Sequence, residues 1–220
     1  ETCRLLHVNG NVIPVTYDNS QLVARYDNGK QVMGEHHIDE PDLTTGQHRI
    51  VGLEVFPKAH ANPEALEAIK NADLIVMGPG DLYTSLLCNL VVTGIAKAIA
   101  KTKAQKVFVM NLMTKFGQTD GFKASDFVVT LERFLKGTID VALVNNKKPE
   151  TNILKMYAKE KAKFVATDTK ALAKTKVDIV TGDFLSEKVI KKTNGDKLKR
   201  SFLRHDSDKL AKIIYELSNR

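Results

Sequence analysis

The sequence predicts an α/β fold in which a parallel sheet lies between two layers of helices, with a small antiparallel unit of hairpins near the N-terminus. From residue 50 onward, short apolar runs alternate with segments whose apolar residues recur at helical spacing. Such alternation is typical of parallel strands joined by right-handed helical crossovers. Before residue 50, apolar and polar residues alternate between turn signals, which is typical of antiparallel hairpins. We therefore predict two parts, residues 1–49 and residues 50–220.

The first part is predicted as an antiparallel insertion on the edge of the α/β domain. Its turns are expected at Asn9-Gly10, Asp18-Asn19 and Asn28-Gly29, because such pairs accept the backbone angles of tight hairpin turns. The stretch HHIDEPD, residues 36–42, follows the hairpins and is predicted as a loop or an edge strand. In an extended segment only His37 and Asp39 would share a face, and two ligands do not make a metal site.

The second part is predicted as a three-layer, Rossmann-like domain. Strands are expected within RIVGLEVFP (49–57), DLIVMG (73–78), KVFVMNLM (106–113), IDVALVNN (139–146), KFVAT (163–167) and VDIVTGDF (177–184). Helices are expected within NPEALEAIKNA (62–72), SLLCNLVVTGIAKAIAKT (85–102), ASDFVVTLERFLKGT (124–138), PETNILKMYAKEKA (149–162) and DSDKLAKIIYELS (206–218). The predicted caps are Asn62 followed by Pro63, Ser125, and Asp206 or Ser207. The charged stretch 186–202 is predicted as a mobile insertion before the last helix.

Composition narrows the classes of function. The 220 residues are enough for one large domain or two small ones with a real core. The two cysteines, Cys3 and Cys88, make no disulfide framework and match no zinc spacing, which predicts a reducing, cytoplasmic compartment. No apolar run is long enough to cross a bilayer. A homo-oligomer is left open.

The positive charge lies in the C-terminal part. Residues 147–220 contain 19 Lys/Arg against 10 Asp/Glu, a net charge of +9, whereas residues 1–146 contain 14 against 16, a net charge of −2. A basic half can meet nucleic acid or a phosphorylated small molecule, or its lysines can simply solvate helix faces. The most basic stretch, KVIKKTNGDKLKR, has no aromatic residue to stack on a base. The sequence therefore does not favour nucleic acid as a partner.

Short polar residues follow three successive predicted strands. Ligands of an open parallel sheet bind beyond the carboxyl ends of its strands, and a strand, a glycine turn and a helix start together can cradle an anion. The sequence therefore predicts a binding site for a phosphate or a sugar nucleotide at this edge. The candidates are Gly78, Gly80, Asp81, Tyr83, Thr84 and Ser85 after the first strand, Asn111 and Thr114 after the second, and Asn145 after the third.

Catalytic machinery is harder to find in the sequence. His205, Asp206, Ser207 and Asp208 are contiguous and cannot form a Ser-His-Asp relay from their own side chains alone. No serine lies in a Gly-x-Ser-x-Gly elbow. Magnesium is an open alternative if three carboxylates converge, although a capping or turn role is favoured for each of them. These carboxylates belong to Asp81, Asp120 and Asp126.

Several joined motifs resemble one known family. The stretches ADLIVMGPGDLYTSLLCNLVVTGIAKAI, VFVMNLMTKFGQTDGFKASDFV, DVALVNN and LRHDSDKLAKIIYEL, with GNVIPVTYDNSQLVARYDNGKQVMGEHHI before them, look like the CofD-like superfamily, and within it the YvcK branch, called gluconeogenesis factor. The match covers almost the whole chain in order. The chain departs from the branch at Asp81 (usually Ser), near Cys88 (Pro), at 116–118 (Pro-Gly-Glu) and at Phe127 (His). The family opens with a Gly-Gly-Gly-Thr-Gly loop that has no counterpart here, so the chain is expected to be a C-terminal portion.

The resemblance implies a function and two further site residues. Resemblance to this branch implies a cytoplasmic regulatory protein that binds sugar nucleotides, with UDP-N-acetylglucosamine as ligand. It also implies a role in gluconeogenic growth and cell shape. Carried over by position, Tyr157 matches an aromatic residue that contacts the nucleotide, although packing is its ordinary role, and Arg204 matches the arginine of an Arg-His-Asp motif. A guanidinium offers phosphate a bidentate fork, which lysine cannot. The related transferase branch implies an alternative, magnesium-dependent transfer of a phospholactyl or phosphoenolpyruvyl group from a guanosine diphosphate carrier.

Overall fold

The central element of the structure is a parallel sheet of four strands. A computed structural model describes residues 10–187 and 203–219. The strands of this sheet are β4 (Leu74–Met77), β5 (Gln105–Val109), β6 (Val141–Asn145) and β7 (Asp178–Gly182), and they pair in the order β4-β5-β6-β7. All three pairings are parallel. The predicted α/β class and Rossmann-like parallel sheet are confirmed.

A smaller antiparallel sheet precedes it. Its strands are β1 (Gln21–Tyr26), β2 (Gln31–Met33) and β3 (Ile50–Phe56), in the order β2-β1-β3. The predicted turn at Asn28-Gly29 joins β1 to β2, with Gly29 at a φ of +84°. The sequence had placed β3 with the second part of the chain, but β3 pairs along the length of β1. The division at residue 49 remains a prediction, and Asn9 lies outside the described residues.

Eight α-helices are seen in the described ranges. They are α1 (Glu35–Asp39), α2 (Pro63–Lys70), α3 (Cys88–Leu90), α4 (Ile95–Lys101), α5 (Ala124–Leu135), α6 (Thr151–Lys159), α7 (Thr169–Leu172) and α8 (Ser207–Ser218). A 3-10 turn spans Thr45–Gln47 and a π-helix spans Leu82–Leu87.

Alternate residues of the parallel strands face two apolar layers, because side chains alternate across a strand. Phe108, Ala142 and Val144 belong to the larger core, which also takes in the buried face of α5 and residues of the antiparallel sheet such as Leu22 and Tyr26. The opposite face, with Val107, Val109, Val141 and Leu143, packs against α8 through Leu210, Ile213, Ile214 and Leu217. The sheet therefore has helices on both faces, and the small antiparallel sheet shares one core with it.

The helix predicted over residues 85–102 is broken. Its first turns form the π-helix, in which the amides of Ser85 and Leu86 both donate to the Asp81 carbonyl at 2.8 and 3.2 Å. Gly94, at a φ of +110°, separates this segment from α4. A glycine adopts such an angle without the steric penalty of a side chain, and the apolar pattern on both sides of it hides the break from sequence reasoning.

Three other predictions differ from the structure. Residues 36–39, expected in a loop or edge strand, lie in α1, where Ile38 is fully buried. The KFVAT segment makes only an isolated bridge, between Phe164 and Met113. Ser125 does not cap α5 but lies in its first turn, where its hydroxyl donates to Asp168 at 2.5 Å. In each case a contact distant in sequence decides the local structure. The stretch 188–202 of the predicted insertion lies outside the described residues.

Two predicted helix caps are confirmed. The Asn62 side chain accepts a hydrogen bond from the Glu64 amide at 3.0 Å, and Pro63 occupies the first turn of α2. The Asp206 side chain accepts from the amides of Asp208 and Lys209 at 3.1 Å each. A side-chain oxygen at this position satisfies amides that have no partner within the helix. Asp206 thereby fixes the start of α8 directly after Leu203–His205.

Truncation of the core on α5 tests the packing. We expect Leu131→Ala to lower the free energy of unfolding by about 2–5 kcal/mol, because Leu131 is fully buried and the change leaves a cavity in the larger core. The matched control is Val129→Ala on the same helix, where the side chain is 56% exposed. Urea unfolding measures both. Equal losses from the two variants would contradict the packing described here.

Candidate functional site

A cleft of about 680 Å³ lies beyond the carboxyl ends of β4 and β5. The turn after β4, the segment after β5, the end of α1, the end of α6 and the residues before α8 form its walls. Six of the residues predicted from the sequence line it. They are Gly80, Asp81, Ser85, Asn111, Thr114 and Tyr157.

The other predicted residues do not line this cleft. Tyr83 is buried in the core against Phe134, with edge-to-face rings whose centres are 6.3 Å apart. Asn145 is buried and fixes a turn, accepting from the Phe184 amide at 3.0 Å and donating to the Lys147 carbonyl at 2.8 Å. Thr84 is buried behind the cleft wall. A polar residue after a strand can serve the fold as well as a ligand, and sequence position does not separate the two roles.

Gly78 and Arg204 are exposed. A Cβ added at Gly78 would meet nothing within 4 Å, so no close approach requires a glycine there. Arg204 lies between Leu203 and His205, which both line the cleft, but it is not itself a lining residue. Its carbonyl accepts a hydrogen bond from the Ser186 amide at 3.0 Å. The ligand role of Arg204 stays a prediction.

The glycine turn and the end of β5 are joined directly. The Asn111 side-chain amide donates to the Gly80 carbonyl at 2.6 Å. A Cβ added at Gly80 would lie 2.7 Å from the Cβ of Ser85, so the turn closes on itself only with glycine there. The two strand ends therefore form one continuous wall of the cleft.

Tyr157 has a structural role in the opposite wall. It packs with Leu112, Ala162, Leu185 and Leu203 in a small apolar cluster. Its hydroxyl accepts a hydrogen bond from the Leu203 amide at 3.1 Å. Tyr157 is only 8% exposed. It therefore holds the Leu203–His205 segment against the cleft, which is compatible with contact to a ligand but does not require one.

The main charged feature of the cleft is a lysine held by two aspartates. The Lys115 ammonium contacts a carboxylate oxygen of Asp39 and, at 2.6 Å, one of Asp81. Asp39 also accepts from the Thr84 hydroxyl at 2.9 Å and from the Gln118 amide at 3.1 Å. Asp39 belongs to α1 of the antiparallel part, so this network connects that part to the edge of the parallel sheet.

The pKa values of the three groups follow from this arrangement. Burial raises the pKa of Asp39, but the hydrogen bonds from Lys115 and Thr84 outweigh it and hold the pKa below its usual value. Burial raises the pKa of Asp81, and the nearby Asp39 charge adds to this against the effect of Lys115. Burial lowers the pKa of Lys115, but both carboxylates more than compensate and the pKa lies above its usual value. Lys115 is therefore charged at neutral pH.

The described residues do not offer a magnesium site in this arrangement. Asp120 accepts from the Gly117 amide at 2.6 Å and Asp126 from the Lys123 amide at 2.8 Å, so both serve turns and caps as the sequence favoured. Across residues 10–187 and 203–219, no group of three His, Cys, Asp or Glu side chains is placed to hold a metal. The Lys115 ammonium lies between Asp39 and Asp81, where a metal ion bound by both carboxylates would have to lie.

The free cysteine of the described residues, Cys88, does not line the cleft. Burial raises the pKa of its thiol to about 11, which leaves it protonated and unreactive. His205 lines the cleft, while Asp206 caps α8 and its side chain accepts from the amides of that helix.

None of the helices in the described ranges is long and apolar enough to cross a membrane.

Sequence reasoning missed several residues of the site. Asp39 was considered only in an extended segment, and its position in α1 turns it towards the cleft. Lys115 and Gln118 lie just beyond the predicted Thr114 and carry the network. The one sequence signal that could have identified Lys115 and Gln118 as site residues is their position after the end of β5. His205 was considered for a relay within its own stretch and not for the cleft.

The chain is similar to proteins of one family. The family model described as 2-phospho-L-lactate transferase CofD matches residues 1–185. A putative gluconeogenesis factor of Thermotoga maritima is 41% identical over 215 residues, 98% of this chain and 64% of the relative. The gluconeogenesis factor of Bacillus subtilis is 31% identical, over 99% of this chain and 64% of the relative. A crystal structure of a UPF0052 family protein from Bacillus halodurans superimposes with a TM-score of 0.84 at 33% identity, over 97% of this chain and 64% of that one. The chain thus spans less than two thirds of the length of these proteins, 64% in each case.

Removal of the Lys115 charge tests the network. We expect Lys115→Met to lower the free energy of unfolding at pH 7 by about 1–2 kcal/mol, because two half-buried carboxylates lose their shared cation. The loss should shrink towards pH 5. Lys115 opposes the effect of burial on the Asp81 pKa, so this pKa rises further when the ammonium is removed. The folded variant therefore takes up a proton at Asp81 more readily than the folded wild type and gains more stability as the pH falls.

Urea unfolding at pH 5 and pH 7 measures this effect. The control is Lys70→Met, whose ammonium is 3.8 Å from Glu67 with a side chain that is 74% exposed. Exposed pairs contribute little, so we expect less than about 0.5 kcal/mol there. A Lys115→Met loss that does not change with pH would contradict the coupling of Lys115 to Asp81.

Proposed function

Because the chain belongs to the CofD family and is similar to its gluconeogenesis factors, we propose that it is a regulatory protein that binds a sugar nucleotide of the UDP-N-acetylglucosamine type in the cleft beyond β4 and β5. We propose no reaction for the chain. We propose that the protein is cytoplasmic and that it supports gluconeogenic growth and cell shape, as the family resemblance implies.

The observation that carries the proposal is the convergence of two strand ends on one cleft. Gly80, Asp81 and Ser85 come from the turn after β4, while Asn111 and Thr114 follow β5, and all five line the same space. A volume of about 680 Å³ lies within the range of small-molecule and cofactor sites. The edge at which the cleft opens is where open parallel sheets bind nucleotides.

Different walls of the cleft suit different parts of such a ligand. Gly80 has no side chain, so a diphosphate can approach the backbone of the turn, and Lys115 is the cation beside it. Phe116 also lines the cleft, and the Lys161 ammonium covers one face of its ring at 4.3 Å. An aromatic ring is a suitable contact for a nucleobase. Tyr157 and Arg204 remain the contacts that the family resemblance implies.

The transferase activity of the family is the second candidate. The matching family model is described as a 2-phospho-L-lactate transferase, and the cleft brings two carboxylates, Asp39 and Asp81, onto one lysine. A phospho-transfer enzyme uses such charges to position its substrate. We favour the binder because relatives that match nearly the whole of this chain are named gluconeogenesis factors.

Closure of the glycine turn tests the location of the ligand. We expect the protein to bind UDP-N-acetylglucosamine in calorimetric titration and Gly80→Ala to weaken binding about tenfold or more, since the added methyl group would lie 2.7 Å from Ser85 and displace the turn. The control is Gly10→Ala, where an added Cβ meets nothing within 4 Å. Circular dichroism checks folding. Wild-type affinity in Gly80→Ala would place the ligand elsewhere.

Incubation with candidate substrates separates the binder from the transferase. We expect no product by mass spectrometry when the protein is incubated in magnesium with UDP-N-acetylglucosamine, or with a guanosine-linked phospholactate and a deazaflavin acceptor. The transferase would be supported by a product that Asp81→Ala abolishes and that Asp73→Ala, an exposed control outside the cleft, leaves unchanged.

A further inference from the structure

Two polar side chains that line the cleft carry a buried acceptor atom without a hydrogen-bond partner. These atoms are Oδ1 of Asn111 and Nε2 of His205. The only other such side-chain atom in the described part of the chain is the hydroxyl of Tyr26, which is in the core and outside the cleft. A buried polar atom without a partner is costly, so the presence of two in one cleft points to a ligand group that pairs with them.

Oδ1 of Asn111 and Nε2 of His205 are both acceptors, because the other polar atom of each side chain already acts as a donor. The Asn111 amide nitrogen donates to the Gly80 carbonyl at 2.6 Å, so the remaining atom of that group is the carbonyl oxygen. The His205 ring is hydrogen bonded to the Met110 carbonyl, which can only accept, so the ring nitrogen on that side carries the proton. In a neutral imidazole the other nitrogen, Nε2, then accepts.

The histidine is neutral at physiological pH. Burial lowers the pKa of His205, and the bond to Met110 offsets only part of this effect. An imidazolium would donate from both nitrogens and could hold a phosphate oxygen, whereas the neutral ring cannot do so through Nε2. The two free positions therefore repel the anionic portion of a nucleotide and suit groups that donate hydrogen bonds.

We propose that Asn111 and His205 form a sugar subsite of the cleft, in which Oδ1 and Nε2 accept hydrogen bonds from hydroxyl groups of the bound ligand. This inference rests on the proposed function and deepens it. In a ligand of the UDP-N-acetylglucosamine type, the ribose and the hexose carry several neutral hydroxyl donors, the uracil and the acetamido group carry one N–H donor each, and the diphosphate offers only acceptors at neutral pH. The subsite lies beside the glycine turn, since Asn111 is bonded to Gly80, and this places the hydroxyls next to the diphosphate as in every sugar nucleotide.

Three ligands measured on two variants test the subsite. His205→Phe removes one acceptor with little change in size, whereas Asn111→Leu removes the other acceptor together with the donor to the Gly80 carbonyl. UDP-N-acetylglucosamine, UDP and 2′-deoxyuridine diphosphate are titrated against each. If the hexose is the source of the hydroxyls, His205→Phe loses about threefold to tenfold in affinity for UDP-N-acetylglucosamine and nothing for UDP, as befits one neutral hydrogen bond, and Asn111→Leu loses more for the UDP-sugar than for UDP. If the 2′-hydroxyl of the ribose is the source, UDP loses affinity in His205→Phe as well and the deoxy ligand does not.

The control variant is His60→Phe, which removes an imidazole whose side chain is 70% exposed. It should bind all three ligands as the wild type does. Unchanged affinities in Asn111→Leu and His205→Phe would overturn the subsite. So would an equal loss for all three ligands in His205→Phe, because that result indicates a contact to the uracil or a disturbed cleft wall and not an acceptor lost to the hexose or to the ribose 2′-hydroxyl.

A measurement on the wild-type protein tests the subsite independently of UDP binding. In nitrogen-15 spectra of the histidine rings, the His205 Nε2 resonance should show an unprotonated nitrogen that shifts saturably on addition of UDP-N-acetylglucosamine, N-acetylglucosamine or a methyl riboside. If the UDP-sugar does not bind, the proposed function fails, yet a shift with either free sugar still supports the subsite. A His205 resonance that no sugar moves overturns it.

Discussion

Strands β4 to β7 run parallel, so the loops that follow β4 and β5 leave the sheet at the same edge and must share the space beyond it. The Asn111 side chain joins the two loops into one wall of the cleft, because its amide donates a hydrogen bond to the Gly80 carbonyl at 2.6 Å. Together with the contact between Lys115 and Asp81, this hydrogen bond fixes the glycine turn relative to the segment after β5. The wall of the cleft and the orientation of the Asn111 acceptor depend on it.

The charged network is the second constraint, and it acts between the two sheets. Asp39 comes from α1, which packs against the antiparallel sheet, and Asp81 and Lys115 come from the edge of the parallel sheet. Two half-buried carboxylates near one another need a cation, and Lys115 supplies it. An anionic ligand that draws on the Lys115 charge would weaken its hold on both aspartates. Ligand binding and the junction between the sheets are thus expected to be coupled.

The division of chemistry within the cleft fits a ligand with unlike parts. The turn at Gly80 and the Lys115 ammonium can accommodate negative charge, Phe116 offers an aromatic face, and Asn111 and His205 present acceptors. A simple phosphate would use only the first of these surfaces. A sugar nucleotide combines a base, a diphosphate and hydroxyl-bearing sugars, and would use all of them.

The sequence by itself determined the fold class and the edge of the sheet at which the cleft opens, because hydrophobic periodicity and the carboxyl-end rule for parallel sheets are local or topological properties. It also determined the caps at Asn62 and Asp206, which depend on neighbouring amides. Only the tertiary structure decided which polar residues face the cleft. Tyr83 follows a strand and Asn145 ends one, much as Asp81 and Asn111 follow theirs, yet both pack inward. Asp39 and His205 reach the cleft from distant parts of the chain. The physical reason is that side-chain direction and ion pairing depend on elements packed together in three dimensions, and sequence spacing does not record them.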